Sequence, residues 1–331
     1  MKEWMQNAIQ SKERIAIPIM THPGIELIGH NVKEAVTQGD VHFAAIKELY
    51  NRYPSAATTV IMDLTVEAEA FGAEVTYPEN EVPSVSCRLL HNMGEVQALQ
   101  IPSLDKGRIP QYLKANRLTA EYVKDKPVLA GCIGPYSLAG RLYDMTELMM
   151  AMYTDPQTVH ILLDKCTSFL INYCNALKQT GVNGVIIAEP AAGLLSNDDC
   201  YEYSSIYVKK IIENIQDNHF SIILHNCGNT GHCTQAMIAT GAASYHFGNR
   251  IEMIEALHNC PSEVLVMGNL DPVGIFKMAS AREVEIATTE LLERTAAFNN
   301  FVLSTGCDVP PKTPEANIEA FYRALNNYNK K

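Results

Sequence analysis

The sequence predicts an α/β fold of one (β/α)8 barrel, eight parallel strands alternating with helices. Three observations carry that prediction. Eight short apolar runs recur along 331 residues, separated by longer segments with helical patterning. The runs are continuously apolar, as parallel strands covered on both faces should be. No dinucleotide glycine fingerprint and no linker divides the chain into two doubly wound domains.

The elements follow in order. RIAIPIM (14–20) is the first strand and TTVIMD (58–63) the second, with the helical pattern NVKEAVTQGDVHFAAIKELYNRY between them. Residues 64–126 are too long for one crossover. There AEVTYPENEVPSVS reads as extended segments around Pro78 and Pro83, followed by a helix over about 106–124. This stretch is expected to be an insertion at the barrel mouth between the second and third strands, with the whole of 1–331 forming one barrel domain. PVLAGCIG (127–134) is the third strand. The helix after it opens on Asp155-Pro156, an N-cap with proline at the first helical position, and closes on Gly181. GVIIAE (184–189), SIILHNC (221–227), ASYHF (243–247), VLVMGN (264–269) and FVLSTG (301–306) complete the eight.

Composition limits the function. With 47% apolar and 19% charged residues, the chain suits a soluble protein with a large core. A net charge of −11 argues against nucleic acid as a partner. No apolar run is long enough to span a membrane, and the N-terminal residues lack a secretory pattern. Nine cysteines, an odd number scattered along the chain, point to reduced thiols in the cytoplasm. Cys166, Cys174 and Cys200 fall in helical segments and read as small buried hydrophobes.

Active sites of such barrels lie at the C-terminal ends of the strands. The residues at those ends include His22, Asp63, Tyr136, Glu189, His225, Cys227, His246, Asp271, Cys307 and Asp308. Within IILHNCGNTGHC (222–233), His225, Cys227, His232 and Cys233 are all of the types that zinc favours. In an extended segment, residues i and i+2 point to one side, so His225 and Cys227 can share a metal. A complete local site would add His232 and Cys233. The competing third ligand is Cys307, which follows a strand as Cys227 does and would meet it over the mouth. That set is favoured because three protein ligands with an open fourth position are the arrangement of catalytic zinc. Without a metal, the histidine would be a satisfied mouth residue and the cysteines core thiols.

Six segments carry a resemblance: DLTVEAEAFGAEV (63–75), GPYSLAG (134–140), GVIIAEPAAGLLS (184–196), LHNCGNTG (224–231), MGNLDP (267–272) and STGCDVPPKTPEANIEAF (304–321). Together they are similar to the uroporphyrinogen decarboxylase superfamily, and within it to the cobamide-dependent methyltransferase branch. The decarboxylases carry arginines after the first strand, where this chain reads PIMTHPGIELIGH, and glycine–histidine–glycine where it has Gly306-Cys307-Asp308. The resemblance implies zinc on His225, Cys227 and Cys307. It implies a methylcobamide donor on a separate corrinoid protein, since no D-x-H-x-x-G signature occurs, and a small thiol acceptor such as coenzyme M. Asp63 matches the superfamily's active-site aspartate, with a helix N-cap as its structural alternative. Tyr136 and Glu189 are placed in the pocket, whereas Glu67 is expected on a solvated helix face. Asp271 is expected to cap a turn, and His232 and Cys233 to start a helix.

Some members of the branch have an acidic residue near the end of the sixth strand that fills the fourth zinc position. Here HFGNRIE leaves water, His246 or Glu252 for it. A cofactor-free decarboxylase and a non-catalytic corrinoid-binding or tetrapyrrole-binding barrel are the alternative functions, and the oligomeric state, monomer or dimer, stays open.

Overall fold

The computed structural model describes residues 1–331. Its main sheet has seven parallel strands: β1 (Thr58–Thr59), β4 (Val128–Ile133), β5 (Gly184–Ala188), β6 (Ser221–Asn226), β7 (Ser244–Phe247), β8 (Leu265–Leu270) and β9 (Phe301–Thr305). They pair in the order β1-β4-β5-β6-β7-β8-β9. A separate antiparallel hairpin of β2 (Val75–Thr76) and β3 (Ser84–Val85) lies within the long second crossover.

The first expected strand is only partly realised. Residues 14–20 form one parallel bridge, between Ala16 and Leu303. They nevertheless close the ring. Ile17 N–H donates to Leu303 C=O at 2.9 Å, and Ala56 N–H donates to Ala16 C=O at 2.9 Å. Pro18 has no N–H to extend the ladder, so the segment stays extended without regular pairing. The second strand is likewise shortened, because Ile61 N–H turns to His42 Nε2 at 3.1 Å. Burial, with the Arg108 charge next, holds His42 down to about 3, so its ring is neutral and can accept.

Alternate strand residues pack on opposite faces. Leu129, Ile186, Ile223, Leu265, Met267 and Val302 fill the barrel interior. Their neighbours Ala130, Val185, Ile222, Val266 and Leu303 pack outward against the helices. Both sets are apolar, which explains the continuous runs. The helix Pro156–Gln179 begins where expected, with the Asp155 carboxylate accepting the Thr158 N–H. Gly181 follows its end at φ +94°, a conformation that favours glycine.

Between β1 and β4 lie the helix Val66–Ala70, the hairpin, the helix Met93–Ala98 and the helix Ile109–Tyr122. The last matches the helix expected over 106–124, shortened at both ends. No helix is long and apolar enough to cross a membrane.

Candidate metal centre at the barrel mouth

Stepping by two from Ile223 in the barrel interior brings His225 onto the same inner face, and Cys227 leaves at the strand end. The chain then turns sharply. Asn226 Oδ1 accepts the N–H groups of Gly228 and Asn229, both at 3.0 Å. Asn229 Oδ1 accepts those of Gly231 at 2.9 Å and Cys233 at 3.0 Å. These asparagine turns carry 228–233 into the next helix. Cys233 is the N-cap of the helix Thr234–Ile238. Its buried sulfur lies 3.2 Å from the Leu195 carbonyl, and His232 Nε2 lies 2.9 Å from the same oxygen. The local four-ligand site does not form.

His225, Cys227 and Cys307 do converge, with their ligand atoms all within 4.8 Å of one another. Glycines permit the approach. A Cβ on Gly248 would lie 2.6 Å from Cys227 Cα, and one on Gly306 would lie 2.6 Å from Asn249 N. Gly248 stands near the place expected for an acidic fourth ligand, and the Cys227 backbone occupies that space.

The triple fits zinc. His225 Nε2 is buried and has no hydrogen-bond partner. Leaving a buried polar atom unpaired costs roughly 1–3 kcal/mol, and its lone pair is what a metal would take. The Cys307 S–H hydrogen bond holds the Cys227 thiol down to about 7, so this sulfur is ready to be a thiolate. The same bond, with burial, pushes Cys307 up. One imidazole and two sulfurs leave one position of a tetrahedral zinc unfilled by protein.

Neither protein candidate fills it. His246 Nδ1 lies 2.8 Å from His225 Nδ1, and its Nε2 lies 2.8 Å from Ser304 Oγ, so both nitrogens are engaged elsewhere. Burial, and then the neighbouring His225, hold its ring well below the usual imidazole range. Glu252 is exposed and paired with Arg294. Solvent or substrate is left for the fourth position.

Cys307 also lines a cavity of about 590 Å³ at the strand ends, together with His22, Asp63, Arg141, Lys277 and Asp308. The loop between β2 and β3 reaches its rim through residues 80–83. Asp63 is tightly held. Its Oδ1 accepts the Thr65 N–H at 2.9 Å and hydroxyl at 2.7 Å, and its Oδ2 accepts from Arg108 Nη1. Arg108, itself buried, also donates to Glu69 Oε2 at 2.7 Å and to Thr65 Oγ1 at 2.7 Å. Thr65, not Asp63, is the N-cap of the helix Val66–Ala70. His22 Nδ1 lies 3.1 Å from Asp308 Oδ2, which the Thr21 hydroxyl also reaches at 2.7 Å. Sequence reasoning missed Arg108, which lies 45 residues from its partner with no local pattern to mark it. The His22–Asp308 pair had a signal, since both residues end strands and Asp308 adjoins Cys307.

Glu189 is buried beside the candidate ligands, its N–H donating to His225 C=O at 2.8 Å. Its carboxyl accepts from Ser137 N–H at 3.2 Å and Ser204 Oγ at 3.0 Å. Burial pushes it up to about 8, so it is protonated at neutral pH. Tyr136 is fully buried, with its hydroxyl 3.3 Å from Met152 Sδ, and it does not line the mouth cavity. Glu67 departs from expectation: it is buried, not solvated, and burial pushes it up to about 8. Asp271 caps a turn as expected, accepting the N–H groups of Val273 and Gly274 at 2.9 Å each.

Comparison with known proteins agrees with this architecture. The uroporphyrinogen decarboxylase (URO-D) family model matches residues 13–328. A methylcobamide:CoM methyltransferase, MtbA, from Methanosarcina mazei is 31% identical over 276 residues, 82% of this chain and 80% of its own. A uroporphyrinogen decarboxylase from Aeromonas salmonicida is 26% identical over 293 residues, 84% of this chain and 81% of its own. Among solved structures, a methyltransferase from Methanosarcina mazei superposes with a TM-score of 0.89 at 22% identity, covering 99% of this chain and 98% of that one. A B12-independent methionine synthase from Shewanella gives 0.57 at 14% identity, covering 97% and 95%. These two likenesses establish the barrel fold.

Proposed function

The chain belongs to the uroporphyrinogen decarboxylase (URO-D) family, and from that premise we propose that it is a zinc-dependent methyltransferase. It moves a methyl group from a methylated corrinoid, presented by a separate corrinoid protein, to a small thiol such as coenzyme M. The carrying observation is the unpaired, buried His225 Nε2 beside two half-buried sulfurs at an open cavity. The name of the 31% identical relative supports the reaction class.

His225, Cys227 and Cys307 would hold the metal. Zinc bound there supplies a Lewis acid that keeps a thiol deprotonated near neutral pH. In the transfer, the sulfur lone pair forms the new S–CH3 bond and cobalt retains the electron pair of the broken Co–C bond. The thiol proton leaves to solvent. The cavity is of the size that takes a small molecule. Its two inner carboxylates are committed, Asp63 to Arg108 and Asp308 to His22 and Thr21. Arg141, Lys277 and Lys312 line it without ion-pair partners, while Glu81 stands exposed on the rim. That balance suits a thiol carrying an anionic group. Glu189, protonated and bonded to Ser137 and Ser204, buttresses the strand end beside His225.

Purified protein is expected to carry about one zinc per chain. The metal should be lost in Cys307→Ala and retained in Cys233→Ala. Mixing the protein with methylcobalamin and coenzyme M, homocysteine or tetrahydrofolate in turn, and following the methyl–cobalt absorbance, identifies the acceptor. Metal-free turnover of uroporphyrinogen would overturn the assignment in favour of a decarboxylase. Zinc-independent corrinoid binding without transfer to any thiol would reduce the protein to a binding barrel.

A further inference from the structure

The geometry points to His246 and Ser304 as positioning residues that dictate which ring nitrogen of His225 is free to bind the metal. They do so through a directed chain of hydrogen bonds that begins at the Ile17 carbonyl. The inference rests on the metal reading above and names residues it does not use.

The direction of the chain follows from its far end. A carbonyl oxygen only accepts, so the Ser304 hydroxyl donates its one proton to Ile17 C=O at 2.7 Å. The proton between Ser304 Oγ and His246 Nε2, 2.8 Å apart, must then belong to the ring. His246 is fully buried, its two ring nitrogens face only Ser304 Oγ and His225 Nδ1, and the neutral ring carries a single proton, already placed on Nε2. Its Nδ1 therefore carries a lone pair.

That lone pair faces His225 Nδ1 at 2.8 Å, so His225 supplies the proton. The His246 carbonyl, 3.3 Å from the same nitrogen, can only accept and enforces the same sense. His225 is left with Nδ1–H behind it and a bare Nε2 toward the two sulfurs, and this Nε2 is the buried atom without a partner. A free imidazole samples both tautomers, and the wrong one would put a proton where the metal must sit.

Every member of the chain is an inner-face residue. Ser304 lies two residues beyond Val302, and His246 is registered beside His225. The anchor, Ile17, lies in the irregular segment that closes the barrel between β9 and the start of β1. The least regular seam of the ring thus orients the metal ligand.

The test is zinc affinity by competition with a chromophoric chelator, together with nitrogen NMR of 15N-histidine-labelled, metal-free protein. His246→Phe, which removes the acceptor, is expected to weaken zinc about 10–100-fold. His246→Asn, whose Oδ1 can stand near the lost Nδ1 and only accepts, should recover most of that loss. Ser304→Ala should fall between. In wild-type apoprotein the His225 ring should show a protonated Nδ1 and a bare Nε2, whereas His246→Phe should show mixed tautomers. Equal zinc affinity in wild type and a folded His246→Phe overturns the inference while leaving the metal reading intact. Should wild type bind no zinc, the metal reading fails instead, and the apoprotein spectrum still decides the chain: an Nε2–H ring at His225 refutes it.

Discussion

Cys227 and Cys307 at the mouth, and Cys132 and Cys174 in the wall, both bring two sulfurs close together in one barrel. The wall pair, from β4 and the helix Pro156–Gln179, is 4.0 Å apart and fully buried. The mouth pair is half-buried, lies beside a histidine nitrogen with no partner, and opens onto a cavity. Electrostatics separate the two as well. Cys132 is pushed well up by the Cys174 thiol, by burial and by nearby carboxyls that include Glu67 and Glu189. Cys227 is pulled down to about 7. Proximity of thiols is therefore not what makes a metal site. A bare third donor and an open side mark the candidate site, and of the two pairs only the mouth pair has both.

The largest expected effect tests this contrast directly. Cys227→Ala should lose zinc and reduce methyl transfer by roughly three orders of magnitude, since removing one of three ligands dismantles the centre. Cys132→Ala should keep both zinc and activity and cost about 1–2 kcal/mol in denaturant unfolding. Zinc loss in Cys132→Ala would break the comparison.

A second effect separates the candidate metal centre from the charged cluster beside it. Arg108→Met leaves Asp63 and Glu69 in largely buried positions without their cation. It should destabilise the fold by about 3–5 kcal/mol in urea unfolding while leaving zinc stoichiometry unchanged. Loss of zinc from the folded variant would join the two clusters into one unit.

The smallest effect concerns Glu67, whose carboxyl acts on the wall pair. Its folded value of about 8 lies above the ordinary 4.5, so between these values the folded state holds a proton that the unfolded state has released. Stability from this group is thus fully present below about pH 4.5 and is lost as pH rises through about 8. Glu67→Gln should flatten the fall of stability between pH 5 and pH 8.5, by something on the order of 3 kcal/mol, in urea titrations across that range. Glu189, also raised to about 8, should leave a residual slope. An unchanged slope would remove Glu67 from the pH response.

Much of the frame was legible before folding. Seven of the eight apolar runs became strands of the main sheet because residues on both faces, such as Leu129 and Ala130, are buried. The remaining run, the first, gave only a bridge, because Pro18 interrupts the pairing. His225, Cys227 and Cys307 were legible because period-two spacing and strand ends say which way a side chain points. For Tyr136 the same rule says less: it follows the third run, but it lies in the helix Pro135–Tyr143, and its hydroxyl reaches Met152. His246 reads in the sequence as a candidate ligand, but its Nε2 is engaged by Ser304, 58 residues away.

Sequence alone determined the barrel and the strand-end placement of the three candidate donors, since these follow from local periodicity and residue type. Tertiary structure decided which candidates meet. It turned His232 and Cys233 away from the mouth on asparagine-centred turns, tied Asp63 to a distant arginine, and set His246 behind His225 instead of among the three candidate donors. Those outcomes depend on hydrogen bonds between segments remote in sequence. No local pattern encodes such bonds, because only the closed ring brings their partners within 3 Å.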